Sequence, residues 1–196
     1  LGVQCGAHAM QSNKNGPGIL IGGTHDVAPA HVVVLGCGAA GANAALVAHG
    51  MGAYVTALDI NEDKFAQFAH LSERMATVLS TPEAINEVLE TADLIIGSVL
   101  IPGDKAPKLI TKNMLKIMKP GAVFVDICID QGGCAETSRS TSILEPTYVV
   151  DDIIHYCVPN MPALVPQTST KALTNATLPY IVALAETNVV AGLSKN

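Results

Sequence analysis

The stretch VVVLGCGAAGANAALVAHGMGAYVTALDINEDK, residues 32 to 64, decides the fold. It opens on Val32 to Leu35, an apolar run rich in β-branched side chains, which favours a strand. Gly36, Gly38 and Gly41 then interrupt the run as G-x-G-x-x-G, and from Ala40 to Met51 apolar residues recur at helical spacing. A second strand-like run, 53–59, ends on Asp59. Strand, glycine turn, helix, strand and acid is the order a dinucleotide-binding unit requires. The first glycine permits the tight turn, the second lets backbone approach a pyrophosphate, and the third lets helix and strand pack closely. The helix N-terminus brings unpaired N–H groups and a positive dipole end to the phosphates. Asp59, about twenty residues past the turn, is placed to take the ribose hydroxyls of the adenosine half. Its charge opposes a 2′-phosphate, so the sequence favours NAD over NADP as cofactor.

The same alternation continues along the chain. Short, β-branched apolar runs at 31–36, 53–59, 76–80, 93–100, 122–130 and 149–158 read as strands. Between them, 40–51, 61–75, 81–92 and 111–118 read as helices, the last three opening on the N-capping types Asn61, Thr81 and Thr111. Strand and helix in turn predict an α/β, Rossmann-type fold: a doubly wound parallel sheet with helices on both faces. At the ends, 1–13 reads as a helix, 14–23 as a loop with a short strand, and 168–193 as a long closing helix bent or interrupted near Pro179.

Composition excludes several alternatives. Hydrophobic residues make up 49% of the chain, charged residues 14%, and Trp is absent, so the core is built from aliphatic side chains, as in a buried parallel sheet. A net charge of -6 without a basic cluster argues against a nucleic-acid partner. No apolar run reaches the roughly 18 residues that span a bilayer, and the first ten residues lack the basic flank of a signal peptide. A soluble, cytoplasmic chain with no membrane partner is expected. The 5 cysteines are odd in number and form no C-x-x-C pair, so neither a disulfide framework nor a metal site is expected. His8, His25, His31, His49 and His70 read as structural or exposed, and His155 as nearer the strand ends.

Ligands of open α/β sheets lie beyond the carboxyl ends of the strands, which directs attention to SVLIPGDKAPK (98–108), DICIDQGG (126–133) and HYCVPNMPALVP (155–166). Asp130 is the most suggestive group, a carboxylate entering a Gln-Gly-Gly turn. From the residues alone, a structural strand cap explains it better than catalysis.

Longer motifs shift that balance. VLIPGDKAPKLIT (99–111), VDICIDQGG (125–133), YCVPNMPALVPQTSTKALTNATLPY (156–180) and LGVQCGAHAM (1–10) followed by GILIGG (18–23) resemble the corresponding segments of bacterial alanine dehydrogenase, over essentially the whole chain. The resemblance implies two domains in the full enzyme. It divides this sequence into an interdomain helix and short leading strand (1–30), an NAD-binding domain (31–165) and a returning C-terminal helix (166–196), with the substrate domain expected to be absent. The implied reaction takes L-alanine, NAD and water to pyruvate, ammonium and NADH. Hydride leaves the alanine Cα, water attacks the resulting iminium, and both steps need acid–base help. By matching motif, Asp130 is the catalytic carboxylate and a cofactor contact, with histidine, lysine and arginine partners in the substrate domain. Gly36, Gly38, Ala39, Ala40 and Gly41 are implied at the pyrophosphate, Asp59 and Lys64 at the adenosine ribose, and Ser80 near the adenine. Val99, Leu100, Ile127, Val158 and Met161 are implied around the nicotinamide, Asn160 near the substrate, and Arg139 as a further cofactor contact. A homo-oligomer, a hexamer in the family, is also implied. Two alternatives stand beside this reading. One is a stand-alone NAD(H)-binding or regulatory module without catalysis. The other is a nicotinamide nucleotide transhydrogenase subunit domain, whose Arg-Gln-Asp loop and extended insertion this sequence lacks.

Overall fold

The computed structural model describes residues 1–101 and 103–186. It divides into two units, Leu1–Pro159 and Asn160–Asn196, taken separately below. In the first, helix α1 (Gly2–Ala9) precedes strand β1 (His31–Leu35), helix α2 (Ala39–Gly50), β2 (Tyr54–Asp59), β3 (Met75–Leu79), helix α3 (Pro82–Leu89), β4 (Leu94–Gly97), β5 (Val123–Asp126), β6 (Thr147–Val150) and β7 (Ile153–Tyr156). The seven strands form one sheet in the order β3-β2-β1-β4-β5-β7-β6. All neighbours are parallel except the edge pair β6–β7. The chain starts in the sheet's middle at β1, winds out to β3 and returns to β4. That reversal leaves a crevice at the carboxyl ends of β1 and β4, the place where such sheets bind ligands.

The central strands of the sheet are buried on both faces, while the outer strands β3 and β6 are partly exposed. Val32, Val33, Val34 and Leu35 are all fully buried, which is why β1 reads as a continuous apolar run rather than an alternating one. Each such side chain contributes about 1.5–3 kcal/mol relative to an exposed one. On one face Val33, Leu35, Ile95 and Phe124 pack with Ile85 and Leu89 of α3 and with Leu115. On the other, α1 lies over β4, β5 and β7, and α2 over β1 and β2. α1 can approach closely because it presents Gly6, where a Cβ would strike the Leu94 side chain.

Several expected elements differ. Residues 61–75 do not make an α-helix; a 3₁₀ turn, Glu62–Phe68, is capped by Asn61, whose side chain accepts from Asp63 N, and only Phe68 is buried. The apolar spacing Phe65, Phe68, Leu71 is three, the 3₁₀ repeat. The segment 111–118 is likewise a 3₁₀ turn, Asn113–Ile117. The strand expected over 122–130 stops at Asp126, whose carboxylate accepts from Cys128 N at 3.0 Å and so opens a 3₁₀ helix, Ile127–Gln131. The strand expected over 149–158 is a hairpin. Asp151 (φ 47°) and Asp152 (φ 62°) form its two-residue turn in the left-handed region, where acidic side chains are tolerated and the twist suits a tight hairpin. The short strand expected within 14–23 does not form; its neighbourhood holds only an isolated bridge, Thr24 to Val27.

The second unit holds a 3₁₀ turn, Met161–Leu164, and α4 (Pro166–Glu186). Helix α4 runs through Pro179 without interruption. The rest of the expected closing helix, 187–193, lies outside the described residues. No helix among the described residues is long and apolar enough to cross a membrane.

Candidate functional site

A cleft of about 380 Å³ opens at the crevice. Gly36 and Gly38 follow β1, Asp59 closes β2, Ser80 follows β3, and Ser98, Val99, Leu100 and Ile101 follow β4; all line it, with Lys64, Pro107 and Leu109. Seven residues expected from the sequence at a cofactor are thus brought together: Gly36, Gly38, Asp59, Lys64, Ser80, Val99 and Leu100.

The glycines divide the work as the motif requires. Gly36 adopts φ 92° and a Cβ there would press on Ser98 O at 2.9 Å. Gly41 is buried under the turn, where a Cβ would collide with Gly36 O and Ser98 Oγ. Gly38 is different: nothing lies within 4 Å of its Cβ position, so it opens onto free space. Gly38 is also the N-cap of α2 and offers no side-chain acceptor to the helix's first N–H groups. Ala39 and Ala40, exposed, begin that helix. The N-terminus of a twelve-residue helix therefore faces outward uncapped, suited to an anion.

Asp59 braces the turn from the adjacent strand. Its Oδ2 accepts from Cys37 N at 2.6 Å and its Oδ1 from Asn61 N at 2.9 Å. Each carboxylate oxygen keeps a further lone pair for hydroxyl donors. Burial, then the Asp59 charge, pushes the Cys37 thiol up to about 12, so it stays protonated and packs as a small hydrophobe. On the other wall the single Ser98 Oγ–H is shared between Leu35 O at 2.9 Å and Gly36 O at 2.8 Å, tying the end of β4 to the glycine turn.

The other expected residues take different places. Asp130 is exposed on the 3₁₀ helix after β5, not at the strand end itself. The Ile127 side chain lies against Gly2 of α1, on the 3₁₀ helix that follows the end of β5 at Asp126. The Arg139 guanidinium lies 3.9 Å over the Tyr148 ring, while the Arg139 backbone N–H donates to Tyr148 Oη at 2.8 Å. Val158 is buried after β7. Asn160, with a left-handed backbone, and Met161, buried, belong to the second unit. His155 is fully buried, stacked on Tyr148; Nδ1–H points to Ile153 O at 3.0 Å, so Nε2 accepts from Thr137 Oγ1 at 2.8 Å.

Sequence reasoning passed over Ser98, Asp126 and Lys108. Asp126 is fully buried and accepts from Cys128 N, Cys134 N at 2.9 Å and Ser138 Oγ at 2.5 Å, which organises the loop carrying Asp130. The signal was an acid inside an apolar run, which demands donors. Asp126, Cys128 and Cys134 also place three possible metal-ligand atoms within 4.8 Å of one another. Contact with Cys128, burial and the Asp126 charge push the Cys134 thiol well up, and the Asp126 carboxylate is already engaged by two backbone N–H groups and the Ser138 hydroxyl.

Residues 2–196 match the family model described as alanine dehydrogenase/PNT, C-terminal domain. The chain is 54% identical over 187 residues to an alanine dehydrogenase of Halomonas elongata, covering 95% of this chain and 50% of that protein. It is 53% identical to one of Mycobacterium tuberculosis, with the same coverage. The chain spans about half the length of the curated relatives it matches. Among solved structures, an L-alanine dehydrogenase superimposes with a TM-score of 0.91 at 42% identity, over 99% of this chain and 54% of that one. A transhydrogenase from Sinorhizobium meliloti reaches 0.66 at 26% identity, over 86% of this chain and 51% of that one. The glycine turn, the order of its strands and these matches together make the chain a member of the alanine dehydrogenase/PNT C-terminal domain family.

Proposed function

We propose that this chain is the NAD-binding part of an L-alanine dehydrogenase, and that the full-length protein converts L-alanine, NAD and water to pyruvate, ammonium and NADH. The observation that carries the reading is the joining of Gly38, the open N-terminus of α2 and Asp59 in one cleft. Its volume of about 380 Å³ falls within the range of small-molecule and cofactor sites. The groups fit a dinucleotide: open space above Gly38 for a pyrophosphate, uncapped N–H donors beside it, and a carboxylate with spare lone pairs for ribose hydroxyls. A bound nicotinamide supplies the hydride acceptor. The apolar wall of Val99, Leu100 and Leu109 excludes water from its neighbourhood, which strengthens every nearby electrostatic interaction.

Asp130 stands past β5 at the same carboxyl edge of the sheet. Its role in this reading is to hold or move the proton of the substrate amine or of the attacking water. In the full-length protein Asp130→Asn, unable to accept that proton, is expected to lower kcat by about 10² to 10⁴ and leave NADH affinity nearly intact. Steady-state kinetics paired with NADH titration measures both. Normal turnover by the Asn variant would make Asp130 a structural group only.

A further inference from the structure

One side chain grips the Asp130 turn from outside. Lys108 Nζ donates to Gly132 O at 2.6 Å, Gly133 O at 2.8 Å and Ala135 O at 2.9 Å. An ammonium has three donors, and here each has a carbonyl. Gly132 caps the C-terminal end of the 3₁₀ helix Ile127–Gln131, where carbonyls run short of partners and a cation is favoured. Gly132 and Gly133 are both left-handed, at φ 92° and 76°, a backbone other residues rarely adopt. The backbones of the two segments are also joined, Ala106 N to Gln131 O at 3.0 Å and Leu109 N to Cys134 O at 2.8 Å. From the inner side, the buried Asp126 carboxylate holds Cys128 N and Cys134 N. The turn is therefore fixed between an inner anion and an outer cation.

Lys108 is placed to do more than cap. Its neighbours in sequence, Pro107 and Leu109, both line the cleft. The same stretch of backbone thus forms a wall of the cofactor site while its lysine holds the turn two residues beyond Asp130.

We propose that Lys108 is a positioning residue for alanine oxidation: its ammonium, by gathering the carbonyls of Gly132, Gly133 and Ala135, sets where Asp130 stands relative to the cleft wall. The inference rests on the catalytic reading of Asp130. Lysine suits the place because three acceptors converge on one point charge, whereas the planar arginine fork serves two acceptors in one plane better than three.

The test compares the full-length protein with its Lys108→Met and Lys108→Arg variants. Alanine-dependent NAD reduction gives kcat and KM, and amide hydrogen exchange is followed over residues 127–135. Lys108→Met is expected to lower kcat by about 10²-fold, the effect of roughly 1 Å of misplacement. Its KM for NAD should move by less than about threefold, the mark of an interaction that serves the reaction rather than binding. Exchange across the turn should quicken, and Lys108→Arg should recover part of both losses. A kcat for Lys108→Met within about threefold of the parent would overturn the proposal, as would an equal fall in NAD affinity, which marks a general loss of the cleft. If the parent protein oxidises no alanine, the dehydrogenase reading fails by itself. Exchange then still decides the clamp: unchanged protection in Lys108→Met refutes it, and quickened exchange supports it.

Discussion

The Asp59 carboxylate already holds Cys37 N and Asn61 N before any ligand arrives, so its replacement acts twice. Asp59→Ala leaves the buried Cys37 N–H without its acceptor and removes the ribose partner; NADH binding should weaken by about 1–3 kcal/mol. The preference over NADPH should narrow at the same time, which titration with both nucleotides measures. An unchanged preference would remove Asp59 from the ribose. The glycines separate binding from folding. At Gly38 a methyl meets nothing in the free protein, so Gly38→Ala should leave thermal stability unchanged. It should still weaken NADH binding by about 1–3 kcal/mol, the cost of forcing one methylene into occupied space. At Gly41 a methyl meets backbone, and Gly41→Ala should lower stability itself by a similar amount, about 1–3 kcal/mol. Denaturant melts of the two variants distinguish these effects.

The β6–β7 hairpin carries the chain's main buried titratable imidazole. Burial lowers the proton affinity of His155 below its usual value of 6.5, and the Ile153 carbonyl only partly offsets this. Burial lowers His31 in the same direction. Between the lowered folded value and 6.5 the unfolded chain binds more protons than the folded one. Stability is then full above pH 6.5 and falls as pH drops below it. Urea melts at pH 7.5 and 5.5 should show this fall, and His155→Gln should flatten it; an identical slope in the variant would place the effect elsewhere. The elements also mark what a sequence shows of itself. β1, the glycine turn, α2 and β2 were legible because their signals are local: a β-branched run, three glycines at fixed spacing, an acid at a strand end. The 3₁₀ turns after Asn61 and Asp126 were not, because one carboxylate or amide choosing a backbone N–H two residues away ends a pattern that apolar spacing would continue. The hairpin at Asp151–Asp152 was masked by apolar residues on both sides. Asp130 was visible as a motif, but Lys108, which holds its turn, acts across 24 to 27 positions of sequence, beyond any local pattern.

At the scale of the whole molecule, the chain spans about half the length of its curated relatives, and the groups proposed to hold the cofactor all lie within it. The 196-residue chain alone should therefore show no alanine-dependent NAD reduction, since positioning of two reactants can supply about 7–11 kcal/mol of a barrier and nothing described here orients the amino acid. Its ability to bind should be intact, because Gly38, the α2 N-terminus and Asp59 all belong to one unit. Calorimetric titration of the purified chain with NADH tests that claim most directly. Saturable one-to-one binding, weakened by Asp59→Ala, is the predicted result; the absence of binding even at millimolar NADH would contradict it.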